Sequence, residues 1–319
     1  MTGQKPEVLA VAKLSPLLLP QVEAAFTLHD RLHESDAAAF AAIAPRIRAV
    51  VGSGESKVPA ALIERLPALE IVSIMGVGYD GVDVASAKEH GVMVTHTPNV
   101  LNDDVADLAL GLMLSAARQL PAADRWVRGG DWVQRGPMPL ARKMSGARLG
   151  IVGMGRIGQA IAQRAAGFGM AIAYTARSAK AALPYRYLPD ARSLAAESDF
   201  LVVITPGGAG TRKLIDAAVL EALGPQGILV NVARGSVIDE AALVDALERG
   251  VIAGAGLDVF ENEPHVPERL KALPHVVLAP HIGSATGQTR QAMADLAFQN
   301  LHAHFAGQAV LTPVPECGS

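Results

Sequence analysis

Arg148-Leu-Gly-Ile-Val152, followed at once by Gly153-Met-Gly155-Arg156-Ile157-Gly158, decides how this chain is read. The first five residues are the short apolar run of a buried strand, and Ile157 to Phe168 repeat apolar side chains at helical spacing. Glycines spaced G-x-G-x-x-G carry meaning only between a strand and a helix, and here they have both. Gly153 permits the tight turn, Gly155 lets a pyrophosphate approach the backbone, and Gly158 lets the helix pack close to the strand. The N–H groups and dipole at the helix N-terminus favour phosphate. The turn, with Arg156 and Ile157, is expected to cradle a dinucleotide.

The next strand, Ala171-Ile-Ala-Tyr174, should end beside the adenosine ribose. A site for NAD would place an acid there to accept from the ribose hydroxyls. The sequence instead reads Thr175-Ala-Arg177-Ser178-Ala-Lys180, with Arg177 nineteen residues after Gly158. A guanidinium there can pair with a 2′-phosphate and Ser178 can donate to it, which favours NADP(H) and leaves NAD(H) as the weaker alternative.

Strand–helix alternation continues in both directions. Downstream strands are expected at 200–204, 227–231, 253–258 and 276–279, with a final helix over 286–305. Upstream, strands are expected at 8–12, 47–51, 71–74 and 92–95, with helices at 18–28, 60–66 and 82–90. Val105, Leu108, Ala109, Leu112 and Met113 make one long helix of 99–119, with Pro121 just past its end. Short apolar strands separated by helices argue for parallel sheets covered on both faces. The reading is α/β, with two doubly wound parallel-sheet domains rather than one large sheet.

Composition excludes several classes. Of 319 residues half are hydrophobic and 18% charged, too apolar for disorder. A net charge of −3 gives no footprint for nucleic acid or an anionic membrane. No apolar run is long enough to span a bilayer and the start lacks a basic, apolar leader, so a cytoplasmic location is expected. Cys317 is the one cysteine, and His302 and His304 point to different helix faces, so no metal site is expected. No G-x-S-x-G elbow of a hydrolase occurs.

Three further loops follow strands on the carboxyl edge, where open α/β sheets bind ligands. They bring Arg234, then Asp258 and Glu263, then His281 to one crevice beside the dinucleotide. Carbonyl reduction by hydride leaves an alkoxide that needs a proton, and histidine is the usual donor near neutral pH. A carboxylate paired with the imidazole favours its protonated form. An arginine can clamp a substrate carboxylate and polarise the carbonyl.

Val232-Ala-Arg-Gly-Ser-Val-Ile-Asp239, Gly256-Leu-Asp-Val-Phe-Glu-Asn-Glu-Pro264 and Pro280-His-Ile-Gly-Ser284 resemble the D-2-hydroxyacid dehydrogenase family. Gly76-Val-Gly-Tyr-Asp-Gly-Val-Asp83 and Thr97-Pro98 resemble the same family's substrate loops. Asn99-Val-Leu-Asn-Asp-Asp-Val-Ala-Asp-Leu108 and Val259-Phe260 with Pro264 are similar to the glyoxylate/hydroxypyruvate reductase branch, which includes plant hydroxyphenylpyruvate reductases. The resemblance implies a Rossmann cofactor domain, 99–285, inserted into a flavodoxin-like substrate domain, 1–98 plus 286–319. It implies His281 as acid/base, Glu263 as its partner, and Arg234 on the substrate carboxylate and carbonyl. The N–H groups of Val77 and Gly78 would bind the same carboxylate, and Asp258 would contact the nicotinamide carboxamide. His281 would touch the substrate too, and Val105, Thr205, Pro206, Thr211, Val232, Ala233, Arg234, His281, Gly283 and Ser284 would complete the cofactor contacts. Homodimerisation through the cofactor domain is implied as well.

One departure matters. Thr205-Pro-Gly-Gly-Ala-Gly-Thr211 replaces the more usual Leu-Thr-Pro-Glu loop, and its three glycines suggest flexibility. Trp126 and Trp132, around Gly129-Gly-Asp131, are expected at an interdomain or dimer contact, where an aromatic side chain could also reach a partner's site. Glu263 sets aside the formate dehydrogenase branch, and with the sequence ending at Ser319 no regulatory domain of the phosphoglycerate dehydrogenase kind is expected. The implied activity is NADPH-dependent reduction of a small 2-keto acid. The alternatives are a larger substrate, such as 2-ketogluconate or hydroxyphenylpyruvate, and a non-catalytic NADP(H)-sensing protein.

Overall fold

A computed structural model describes residues 5–318; the first four residues, part of the leader reading, and Ser319 lie outside them. The chain divides into two compact units. Residues up to Leu101 join those from Thr286 onward in one, and Asn102–Ala285 form the other. The division falls three residues later than the 98/99 boundary read from the sequence. Asn99–Leu101 form a turn, and the helix itself begins at Asn102.

The first unit is built on a five-stranded sheet of β1 (Glu7–Ala10), β2 (Thr27–Asp30), β3 (Ile47–Ser53), β4 (Ile71–Met75) and β5 (Met93–Thr95). All its pairings are parallel and its order is β2-β1-β3-β4-β5, the flavodoxin-like order. β4 is buried at every residue, as a central strand covered on both faces must be. The 18–28 helix ends earlier than expected: it covers Leu19–Ala25, and Thr27–Asp30 turn into edge strand β2. That strand buries no residue fully, so it leaves no apolar alternation to read.

The last helix, Gly287–Phe305, packs against β4, where the Ser73 hydroxyl donates to the Ala297 carbonyl at 3.0 Å. Fully buried Asn300 is saturated with hydrogen bonds. Its amide donates to Leu296 O and Thr312 Oγ1, and its oxygen accepts from the N–H groups of Leu311 and Thr312. This joins the last helix to the tail beside β5, because an unsatisfied buried amide would cost about 1–3 kcal/mol.

The second unit holds seven strands: β6 (Arg148–Val152), β7 (Ala171–Thr175), β8 (Arg186–Tyr187), β9 (Phe200–Val203), β10 (Ile228–Asn231), β11 (Gly254–Leu257) and β12 (Val276–Leu278). They pair in parallel in the order β12-β11-β10-β9-β6-β7-β8. Counted from β6, this is the Rossmann order with one strand added, and it reverses between β6 and β9. Two residues of edge pairing, β8, escaped the periodicity.

Helix Asn102–Arg118 buries Val105, Ala109, Leu112 and Met113 against β10, β11 and helix Arg156–Ala166. Pro121 does not simply follow a helix end. After left-handed Gln119 it lies in the first turn of another helix, Leu120–Arg128, where a missing N–H costs nothing. Among the described residues no helix is long and apolar enough to cross a membrane.

Candidate active site

The strand order of the second unit reverses where β6 and β9 lie side by side, and loops leaving that edge can splay apart over a ligand. Gly153 there has φ +105°, and a Cβ on it would lie 2.6 Å from the Ile204 carbonyl oxygen. A Cβ on Gly158 would strike the Gly153 carbonyl. The turn is therefore closed to any side chain at either position. Space above Gly155 is open, and this residue begins helix Arg156–Ala166 without any side-chain cap. Arg156 is exposed beside it, and Arg177 and Ser178 are exposed beyond the end of β7. Open backbone, an uncapped helix start and a cation at the next strand end fit a phosphorylated dinucleotide.

The loop after β10 is shaped by Asn231. Its side-chain oxygen accepts from Ala233 N–H, and its amide donates to the Arg234 carbonyl, each at 3.0 Å. This bracket sets the backbone of Val232, Ala233 and Arg234. Arg234 is half-buried, and its guanidinium donates to the Ala233 carbonyl at 2.8 Å. Gly235 follows because a Cβ there would collide with the backbone of Phe260 and Glu261. The loops after β10 and β11 thus meet backbone to backbone.

Asp258, 2% exposed, directly follows β11. One of its oxygens accepts from Ile282 N–H at 2.7 Å and the other from Gly283 N–H at 2.8 Å. Its backbone carbonyl accepts from His281 N–H at 2.9 Å. Asp258 therefore fixes the turn that displays His281, itself a non-glycine residue at φ +53°. Burial pushes the Asp258 carboxyl above the ordinary range, against the pull of those two N–H groups and the His281 charge.

Glu263 closes the cluster. Its Oε2 lies 2.7 Å from His281 Nδ1, and its Oε1 accepts from Phe260 N–H at 2.9 Å. Burial alone would raise this carboxyl; the His281 and Phe260 hydrogen bonds and the charges of His281 and Arg234 outweigh it and hold it below the usual carboxylate range. An ionised carboxylate only accepts, so Nδ1 carries the hydrogen and Nε2 is left as the working atom of His281.

Val105 and Gly283 meet near Asp258: a Cβ on Gly283 would approach Val105 Cγ2 to 3.3 Å. Thr205 is half-buried and Pro206 exposed at the end of β9, and Ser284 is half-buried after Gly283. Two hydrogen bonds from Thr211 span the glycine loop. Thr211 Oγ1 donates to the Pro206 carbonyl at 2.7 Å, and Thr211 N–H to Gly208 O at 3.1 Å.

Val77 and Gly78 follow β4 in the first unit, where the His96 Nδ1–H donates to the Val77 carbonyl at 2.9 Å. Trp126 is engaged within its own unit, its indole donating to Gly136 O at 3.0 Å beneath the Arg135 guanidinium. Trp132 is exposed. Asn231, Gly235 and His96 shape these loops without being among the residues the sequence points to. Gly235 stands inside the 232–239 motif, whereas the bonds of Asn231 and His96 exist only in three dimensions.

Residues 110–283 match the family model for the D-isomer specific 2-hydroxyacid dehydrogenase, NAD binding domain. The chain is 52% identical over 268 residues to glyoxylate/hydroxypyruvate reductase A of Arabidopsis thaliana, covering 84% of this chain and 85% of the relative. It is 47% identical over 308 residues to hydroxyphenylpyruvate reductase of Plectranthus scutellarioides, covering 96% and 98%. It superimposes with TM-score 0.93, at 47% identity and 98% coverage of both chains, on an NADPH-dependent glyoxylate/hydroxypyruvate reductase of Sinorhizobium meliloti crystallised with NADP and malonate. On these likenesses the chain belongs to the D-isomer-specific 2-hydroxyacid dehydrogenase family.

Proposed function

We propose that this protein is an oxidoreductase that reduces a small 2-keto acid, glyoxylate or hydroxypyruvate, to the D-2-hydroxyacid with NADPH. The observation that carries the reading is the Glu263–His281 pair at 2.7 Å, one loop from Arg234 and on the same sheet edge as the Gly153–Gly158 turn. When bound, the reduced nicotinamide supplies a hydride to the carbonyl carbon. This chain supplies the rest.

Gly153, Gly155, Arg156, Ile157 and Gly158 hold the pyrophosphate. Arg177 and Ser178 hold the 2′-phosphate. Val105, Thr205, Pro206, Thr211, Val232, Ala233, Asp258, Gly283 and Ser284 line the nicotinamide half. Arg234 binds the substrate carboxylate and draws electron density from the carbonyl oxygen. The N–H groups of Val77 and Gly78 bind the same carboxylate. His281 Nε2 gives its proton to the oxygen as the alkoxide forms, and the Glu263 carboxylate stabilises the imidazolium before transfer. NADH serves the same chemistry with weaker binding, since Arg177 then has no phosphate to meet.

The protein is proposed to work in the cytoplasm as a homodimer. Leu120, Val127, Trp132, Val133 and Leu140 are exposed apolar side chains close in sequence within the second unit, which suits a face covered by another copy. Likeness to a hydroxyphenylpyruvate reductase over nearly the whole chain favours an aromatic 2-keto acid as the second reading. The test is steady-state oxidation of NADPH and NADH with glyoxylate, hydroxypyruvate, 2-ketogluconate and hydroxyphenylpyruvate. Preference for NADPH and one of the two small acids supports the reading. Preference for hydroxyphenylpyruvate moves the assignment to the second, and tight NADPH binding without turnover would point to a different acid or to a sensing role.

A further inference from the structure

Tyr174 lies one residue before the end of β7, and its ring is buried, 1% exposed. Its hydroxyl accepts the backbone N–H of Lys180 at 2.7 Å, closing residues 175–179 into a loop over the strand end. Tyr187 on β8 pairs with it in register, the two rings edge to face with centroids 5.6 Å apart. The Tyr187 hydroxyl donates to the Ala176 carbonyl at 3.5 Å. The tyrosines thus meet the loop at Ala176 and at Lys180, its two ends. Between them Arg177, Ser178 and Ala179 are exposed.

A hydroxyl on a buried ring is costly unless it is used, and phenylalanine would fill the same volume without one. Here the hydroxyl's partner is the backbone of an exposed loop that carries Arg177 and Ser178, the two side chains proposed for the 2′-phosphate. A guanidinium that binds a phosphate with two parallel hydrogen bonds loses less freedom when its own backbone is already set, so prior ordering strengthens binding.

We propose that Tyr174, seated against Tyr187, is a positioning residue for cofactor selectivity, its hydroxyl holding the 176–180 loop so that Arg177 and Ser178 meet the 2′-phosphate of NADP(H). This rests on the reading of Arg177 and Ser178 given above and extends it to residues that touch no cofactor. NAD(H) shares every other contact but lacks that phosphate, so the hydroxyl should matter to one cofactor and not to the other.

The test is the dissociation constants of NADP⁺ and NAD⁺ for the full chain, by titration calorimetry without substrate. Tyr174→Phe should weaken NADP⁺ binding roughly three- to tenfold, the weight of one hydrogen bond, and leave NAD⁺ within about twofold. Equal weakening of both, or no change in either, would overturn the proposal, because a packing role cannot distinguish the two ligands. Arg177→Asp measured alongside keeps the two failures apart. If Arg177→Asp shifts the ratio and Tyr174→Phe does not, the tyrosine's role alone falls; if Arg177→Asp leaves the ratio unchanged, the 2′-phosphate reading fails and takes this proposal with it. Should Tyr174→Phe fold poorly, Tyr187→Phe removes the other tether and should shift the same ratio by a smaller factor, and an unchanged ratio there would count against the proposal.

Discussion

The loops after β10, β11 and β12 are knitted to one another, whereas the loop after β7 is held at its ends and otherwise faces water. In the first region Asn231 brackets Arg234, Gly235 brings that loop onto Phe260, Asp258 grips the N–H groups of Ile282 and Gly283, and Glu263 grips His281. In the second, two tyrosine hydroxyls hold Ala176 and Lys180. Proton transfer needs atoms placed within a few tenths of an ångström, and a network of short bonds supplies that. Discrimination between two cofactors needs one charge in reach of one phosphate, and a tethered loop is enough. The chemistry and the selectivity should therefore fail separately.

The largest separation is expected at His281. His281→Ala should lower kcat about 10²- to 10⁴-fold while NADPH binds within about twofold of the parent, read by steady-state kinetics and fluorescence titration. Strong residual turnover would remove His281 as the proton donor. Gly235→Ala attacks the knitting itself. It should depress turnover with both cofactors alike and lower the thermal midpoint by several degrees, about 1–3 kcal/mol of overpacking. A selective loss of NADPH use there would break the separation.

Glu263→Gln should act more gently, with a pH signature. Without the carboxylate the imidazolium is less favoured, so the limb where reduction falls as pH rises should move to lower pH. The same variant reads out stability. Folding favours the ionised form of Glu263, because the folded carboxyl sits below its ordinary value. That contribution is full above the ordinary carboxylate range and disappears as pH falls through the lowered value. Parent and variant should therefore differ in thermal midpoint at neutral pH and converge in acid; a gap that persists would contradict the shift.

The smallest effect is expected in the glycine loop. Thr211→Val removes the donor to Pro206 and should raise KM for NADPH and for NADH by similar, few-fold factors, leaving kcat nearly unchanged. Had the three glycines made this segment loose, the substitution would have no effect.

The same contrast explains what could be read from the chain alone. Gly153, Gly155 and Gly158, Arg234, Asp258, Glu263 and His281 were legible because each stands at a fixed place after an apolar strand, and strand ends are what periodicity locates best. β2 and β8 were not, because edge strands bury little and carry no alternation. Asn231 and Tyr174 looked like ordinary strand residues, and their uses appear only when the loops they hold are in view. The glycines at 207, 208 and 210 suggest freedom of the loop, but a count of glycines says nothing of a threonine hydroxyl that reaches back across it.

Product analysis tests the central claim most directly. Purified protein incubated with NADPH and hydroxypyruvate should consume the two one for one and yield D-glycerate, resolved from its enantiomer by chiral chromatography. Formation of the L-enantiomer, or consumption of NADPH without glycerate, would contradict the account.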